Sequence, residues 1–254
     1  MLAAERRFKI IRLVQKQKVV TTKKLAKLFN TSGMTIRRDL EKLNQDGLLL
    51  KTHGGVVANE MATLGPSFAE KEITYLEEKR KIGLVAGEMI ERGDIIALNA
   101  GTSTFQVAKN IKENMDLTVI TNAINIGMEL AKRDDIKLIL TGGTLRERSF
   151  ALVGTLAEKA LASIRVNKVF LGVNGVAVEH GITTADLLEA SIDKVMIEIA
   201  KEVIVVADHS KIGNVSLAPI VPLSDIDKVI TDSGISKTDR GTLEKSGVEV
   251  IIAK

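Results

Sequence analysis

Seven short, almost unbroken apolar runs occupy the last two-thirds of the chain and constrain its fold more than any other feature. They are Ile95–Asn99, Leu117–Thr121, Ile136–Thr141, Val169–Val173, Val203–Ala207, Lys228–Thr231 and Val248–Ile252. A strand with one wet face alternates apolar and polar residues, whereas a run that is apolar throughout is covered on both faces. Helical patterns separate most of these runs. One of them carries Ile82, Val85, Ala86, Met89 and Ile90 on a single face and ends at Arg92-Gly93-Asp94. Strands alternating with helices predict an open, mostly parallel α/β sheet. Sheets of this kind hold ligands in the crevice at the carboxyl ends of their strands.

The residues expected at those ends are chemically alike. The first strand leads from Asn99 into Ala100-Gly101-Thr102-Ser103-Thr104, with a helix expected from about Phe105. A glycine, three hydroxyls and the amides of a helix N-terminus make a natural anion cradle. The next exits are Thr121-Asn122, then Thr141-Gly142-Gly143-Thr144 followed by Arg146 and Arg148. Gly172-Val173-Asn174-Gly175 and Asp208-His209-Ser210-Lys211 complete the series. Turn-formers explain any one exit. Five in succession, with Arg146 and Lys211 among them, point to a phosphate-bearing ligand. No G-x-x-x-x-G-K-[ST] loop occurs, nor a G-x-G-x-x-G after a strand, which argues against ATP hydrolysis and dinucleotide binding.

The N-terminal stretch has a different period. Phe8, Ile11, Leu13 and Val14 mark one short helix. A second is expected to start at Thr22 and bury Leu25, Ala26, Leu28 and Phe29. Asn30-Thr31 turns the chain into Ser32-Gly33-Met34-Thr35-Ile36-Arg37-Arg38-Asp39-Leu40, where Ser32 is a good N-cap. Ile36, Leu40 and Leu43 share one face of this third helix, leaving Thr35, Arg37 and Arg38 free to meet a groove. A helix that packs on a scaffold and presents its first turns to base edges is the helix-turn-helix arrangement. Arg38 lies nearly opposite the apolar face and is the expected groove residue, while Arg37 has Asp39 or Glu41 as a possible partner. Asp46-Gly47 stops the helix. Leu48-Leu49-Leu50 and Val56-Val57 then flank Lys51-Thr52-His53-Gly54-Gly55 as a β-hairpin wing, with Lys51 and His53 placed to touch DNA.

Charge follows the same division. Residues 1–58 hold thirteen Lys/Arg against four Asp/Glu, a net +9, so the remainder of this +4 chain is at −5. A positive lobe on an acidic body is the footprint of a nucleic-acid module. Periodicity lapses after Ala58, and Gly65-Pro66 punctuates the gap. The expected organisation is a winged helix-turn-helix over 1–58, a linker over 59–75 and an α/β sensing domain over 76–254. The absence of cysteine excludes disulfides and thiolate chemistry, and His53, His180 and His209 lack metal-ligand spacing. No metal or cofactor is expected. No run of about eighteen uncharged apolar residues occurs, and the N-terminus turns basic within ten residues. A cytoplasmic protein without membrane contact is therefore expected.

Thr35-Ile36-Arg37-Arg38-Asp39-Leu40, Asp46-Gly47-Leu48 and His53-Gly54-Gly55 resemble the N-terminal signature of the DeoR family of transcriptional regulators. The resemblance continues through Gly101-Thr102-Ser103-Thr104, Val119-Ile120-Thr121-Asn122, Thr141-Gly142-Gly143, Phe170-Leu171-Gly172, Gly181-Ile182-Thr183-Thr184, Asp208-His209-Ser210-Lys211 and Thr231-Asp232. It implies a sensor domain with the fold of ribose-5-phosphate isomerase. It also implies operator contacts from Thr35, Arg37 and Arg38, within a DNA-binding set of Ser32, Gly33, Met34, Thr35, Arg37, Arg38, Lys51 and His53. Gly101, Thr102, Ser103 and Thr104 would hold a sugar's phosphate, with Asn99, Gly142, Gly143, Asn174 and Lys211 around the sugar and Arg146 nearby. Asn99, Asn174 and Val195 depart from the residues many members carry there, Asp at the first two and Arg near the third.

Two functions follow from these features. One is a repressor of a sugar-metabolism operon whose grip on double-stranded operator DNA is set by a phosphorylated sugar. The alternative is a working sugar-phosphate isomerase with an attached DNA-binding domain. Enediol chemistry needs a carboxylate base. Asn174 cannot supply one, which leaves Asp208 and Glu189. A homo-oligomer, dimer or tetramer, is expected because one winged helix covers too little operator for useful specificity. The linker and the helix over Glu77–Glu91 are the expected transmission elements.

Overall fold

The computed structural model describes residues 6–7, 9–10, 13–14, 19–45, 49–52, 55–58 and 67–254, without the side chains of 45, 49–51, 57 and 58. The chain divides into two compact units between Pro66 and Ser67.

In the first unit, β1 (Val19–Thr21), α1 (Thr22–Leu28), α2 (Gly33–Gln45), β2 (Leu49–Thr52) and β3 (Gly55–Ala58) follow one another. The strands form an antiparallel sheet in the order β1-β3-β2. Ile10, Val14, Val20, Leu25, Ile36, Leu40, Leu43 and Val56 make its core. The cap of α1 is Thr21, whose hydroxyl accepts from Lys24 N, and not Thr22, which is the first helical residue. Leu28, expected to be buried, is 58% exposed at the end of α1, whereas Leu25 is fully buried. Asn30 adopts a left-handed φ of 46°, and Thr31 N donates to Ala26 O at 3.1 Å. That six-to-one bond is the usual way a helix ends before a tight turn, and it aims the chain into α2. The helix stop expected at Asp46-Gly47, and His53 at the wing tip, lie outside the described residues.

The second unit is built on a seven-stranded parallel sheet, in the order β15-β14-β12-β9-β4-β5-β6. Its strands are β4 (Ile95–Leu98), β5 (Leu117–Thr121), β6 (Ile136–Leu140), β9 (Val166–Leu171), β12 (Ala200–Val206), β14 (Lys228–Asp232) and β15 (Glu249–Ala253). All seven overlap the apolar runs, with β9 and β12 beginning three residues earlier than expected. Ile96, Leu98, Phe170, Ile204 and Val206 pack into one buried cluster, while their neighbours Ala97, Val169, Leu171, Val203 and Val205 pack into the other. Alternation at period two thus continues within each strand, but both faces are covered, so neither requires polar residues.

Helices α3 (Phe68–Ile73), α4 (Leu76–Glu88), α5 (Thr102–Lys109), α6 (Ile124–Leu130), α7 (Thr155–Ala162), α8 (Leu187–Glu198) and α9 (Lys237–Lys245) surround the sheet. Two small additions had no periodic signal. One is the hairpin β7 (Thr144–Arg146) with β8 (Ala151–Val153), and the other an antiparallel sheet of β10 (Gly175–Ala177), β11 (Gly181–Thr184) and β13 (Ala218–Val221). The stretch expected to be linker up to residue 75 contains α3. Ser67 accepts from Glu70 N, and the Glu70 carboxylate accepts from Ser67 N at 2.6 Å. This capping box satisfies orphan donors reciprocally. Phe68 then packs edge-on against Phe105 and Phe150, with ring centres 5.6 and 5.4 Å away.

Candidate functional site

All seven strands run parallel, so every exit lies at one edge of the sheet, and α5 begins directly behind β4. The helix starts at Thr102, three residues before the expected Phe105. Its N-cap is Gly101, which offers no side chain to its first-turn amides. Thr102 and Ser103 flank that open end. Thr104, by contrast, is fully buried and turns its hydroxyl back to Asn99 O at 2.8 Å and Gly101 O at 3.0 Å. It braces the turn and faces away from solvent.

Asn99 is committed inward in the same way. Its Oδ1 accepts from Gly172 N at 2.8 Å, and its Nδ2 donates to Gly172 O and Asp193 Oδ1, both at 3.0 Å. Both amide hydrogens are therefore used. The residue locks the exits of β4 and β9 to each other and to α8. Asn122 does the corresponding work one strand over, accepting from Ala100 N and donating to Leu152 O. Burial pushes the Asp193 carboxyl up to about 8, against the lowering effect of the Asn99 hydrogen bond.

Gly142 and Gly143 turn the chain with φ of 69° and 117°. A Cβ on Gly142 would meet open space, whereas one on Gly143 would come within 2.7 Å of Val153 O. The pair leads into β7, where Arg146 donates to Glu189 at 2.6 Å and lies 3.2 Å from Asp186. Asn174 Oδ1 accepts from the Thr184 hydroxyl and from Ala185 N. Lys211 closes a 3₁₀ turn over His209–Lys211 capped by Asp208. His209 bonds Asp232 through both its backbone N and Nδ1.

Two lysines outside the expected set join this edge. Lys79 on α4 is only 3% exposed, and its ammonium donates to the carbonyls of Lys71 and Thr74. Burial lowers its pKa, and the nearby Asp208 opposes that shift. Lys71 on α3 is held below the usual lysine range by burial, with Glu189 opposing and Lys211, Arg146 and Arg148 adding to the depression. The signal that places Lys71 is the Ser67-x-x-Glu70 capping box three residues ahead of an otherwise unpatterned stretch.

At the start of α2, Ser32 Oγ accepts from Thr35 N at 3.1 Å and lies 2.9 Å from Thr35 Oγ1. Ile36, Leu40 and Leu43 are buried, and Met34 is 66% exposed. Asp39 is not Arg37's partner. It is buried beneath the first helical segment, where Arg6 donates to it at 2.6 Å and Arg7 lies 3.8 Å away. Arg37 and Arg38 are both exposed, and neither forms an ion pair among the described residues. Lys51 lies on β2, at the register position opposite Val56.

A basic helix-turn-helix head on an open α/β sheet with a polar exit edge defines a ligand-sensing transcriptional regulator. Residues 6–62 match the DeoR-like helix-turn-helix domain, and residues 74–233 match the DeoR C terminal sensor domain. The chain belongs to the DeoR family. It is 38% identical over 250 residues to the uncharacterized HTH-type transcriptional regulator YulB of Bacillus subtilis (strain 168), covering 98% of this chain and 96% of that one. It is 34% identical over 254 residues to the HTH-type transcriptional repressor GlcR of the same organism, covering 100% and 98%. Ribose 5-phosphate isomerase A from Methanocaldococcus jannaschii aligns at 17% identity and a TM-score of 0.40, over 54% of each chain. The relatives are regulators, and the chain is a DNA-binding transcriptional regulator; the alternative of a working isomerase is not favoured. Among the described residues no helix is long and apolar enough to cross a membrane.

Proposed function

We infer that the protein is a repressor of a sugar-metabolism operon and that a phosphorylated sugar at the strand-exit edge sets its affinity for operator DNA. The supporting observation is the uncapped start of α5 on an edge where Lys71, Lys211, Arg146 and Arg148 gather. Amides at a helix start and lysines without an ion pair of their own both favour a phosphate dianion. Within this proposal, Gly101, Thr102 and Ser103 hold the phosphate, and Gly142, Asn174, Arg146 and Lys211 line the sugar. Asn99, Thr104 and Gly143 hold those residues in place. Ser32, Gly33, Met34, Thr35, Arg37 and Arg38 meet the operator, with Lys51 and His53 on the wing. A homo-oligomer, dimer or tetramer, places two such helices on a symmetric operator. The domain organisation is a head over 1–58 and a sensor over 76–254, with α3 in the segment between them.

The test is a thermal-shift panel of triose, pentose and hexose phosphates beside their unphosphorylated sugars, followed by operator binding at fixed salt. A ligand that binds only the folded state raises its melting temperature. One phosphorylated sugar should do so and change operator affinity about tenfold, within the usual range of allosteric coupling. Unphosphorylated sugars should do neither. No shift with any phosphate, or a shift that leaves operator affinity unchanged, overturns the proposal. So does ketose–aldose turnover that Lys211→Ala abolishes.

A further inference from the structure

Helix α3 is a six-residue element held at both ends. At its start Phe68 sits between Phe105 of α5 and Phe150, and Phe68 N donates to Arg148 O at 2.6 Å. At its end the buried Lys79 ammonium binds the carbonyls of Lys71 and Thr74. Tyr75, at a left-handed φ of 52°, then turns the chain into α4 with its ring edge-on to His209, 4.9 Å between centres. Lys71 lies one helical turn beyond Phe68, on the same side. Its amine and that of Lys211 have neither an ion pair nor a hydrogen bond among the described residues, although both side chains are partly buried. Arg146 beside them is already satisfied by Glu189 and Asp186.

Neither amine has an ion pair of its own among the described residues, because Glu189, the acid that acts on Lys71, is already held by Arg146. Partly buried charges are costly unless paired. An anion is the missing component. We propose that Lys71 is a ligand of the effector's phosphate group, and that α3 is a strap which the bound phosphate pulls onto the sensor. The proposal rests on the sugar-phosphate function inferred above and adds the residue and the element through which that ligand is read. α3 is the first structured element after the division at Pro66–Ser67, so a change in how tightly it is held is transmitted along the chain toward the DNA-binding head.

Hydrogen–deuterium exchange on the full chain tests this, with inorganic phosphate as the probe and chloride holding ionic strength constant. Phosphate should slow exchange both at residues 101–104 and across residues 68–79. Lys71→Met should weaken phosphate binding about tenfold, the loss expected for one charge-assisted hydrogen bond. It should also abolish the slowing at 68–79 while the unliganded melting temperature does not fall. Lys71→Arg keeps the charge and should retain both effects. Slowing at 101–104 without slowing at 68–79 overturns the strap and leaves the phosphate site standing. Phosphate titration of Lys71→Met that matches the parent protein overturns Lys71 as a ligand. Loss of binding in both variants together with a lowered melting temperature assigns Lys71 to packing and likewise overturns the proposal. No protection anywhere removes the phosphate site and the strap together.

Discussion

The Asn99 amide donates to the Asp193 carboxyl at 3.0 Å, joining the exit of β4 to α8 across a separation of 94 residues. Asp193 is buried, and its pKa is pushed up to about 8, chiefly by desolvation. The native carboxyl therefore keeps its proton while the unfolded chain ionises near its ordinary value of 3.8. The stability this confers is complete below about pH 4 and is lost progressively as pH rises toward 8. Asp193→Asn keeps an acceptor for Asn99 and cannot ionise. Its stability relative to the parent should rise between pH 4 and pH 8 by on the order of a few kcal/mol and then level off. Denaturant melts across that range measure the difference, and a flat difference curve would contradict the buried neutral carboxyl.

Gly83 and Gly87 lie one turn apart on α4, against α5. A Cβ on Gly87 would come within 2.4 Å of Asn110 O, and one on Gly83 within 2.7 Å of Gln106 O. Helix propensity alone makes Gly→Ala stabilising by about 1 kcal/mol. Overpacking costs about 1–3 kcal/mol and should win here. Gly87→Ala is thus expected to lower the melting temperature, and an increase would show that the two helices separate at little cost.

Two glycines at the exit of β6 should differ although both have positive φ. Gly142→Ala meets no neighbour and pays only for the left-handed backbone, about 1 kcal/mol. Gly143→Ala adds a clash with Val153 O and should cost at least twice as much. Paired urea titrations decide this, and equal losses would mean that the Thr144–Val153 hairpin yields.

The exposed arginines of α2 carry no structural load that their burial would reveal. Arg37→Ala and Arg38→Ala should leave the stability within about 0.5 kcal/mol of the parent, as for most surface changes. Operator affinity should fall by about 1–3 kcal/mol for whichever one reads a base edge. Ser32→Ala removes the hydroxyl that accepts from Thr35 N and should cost about 1 kcal/mol of stability as well. Fluorescence anisotropy with labelled operator, alongside thermal melts, separates the two effects. Unchanged DNA affinity in both arginine variants would move the interface off this helix.

Much of the protein was readable before its structure. Unbroken apolar runs marked all seven sheet strands because two covered faces leave nothing for polar residues to do. Ser32, Ile36, Leu40 and Leu43 marked α2 because capping and a 3.6-residue period are local properties. The strand-exit residues were equally visible, since parallel strands put all their exits on one edge. The short elements were not. β7, β8 and β10 have three residues each, too few to show a period, and α3 buries only Phe68. Nor could hydroxyls or amides be sorted into those facing solvent and those facing the protein. Thr104 and Asn99 look like their neighbours in the chain, yet both bond inward, while Lys71, in a stretch without pattern, joins Lys211 and Arg146. Sequence by itself determined the elements whose signals are local: helix caps, apolar periods, the basic head and the polar strand exits. Tertiary structure decided which of those polar groups are spent on the fold and which stay unpaired, because partners such as Gly172 and Asp193 for Asn99 arrive from distant parts of the chain.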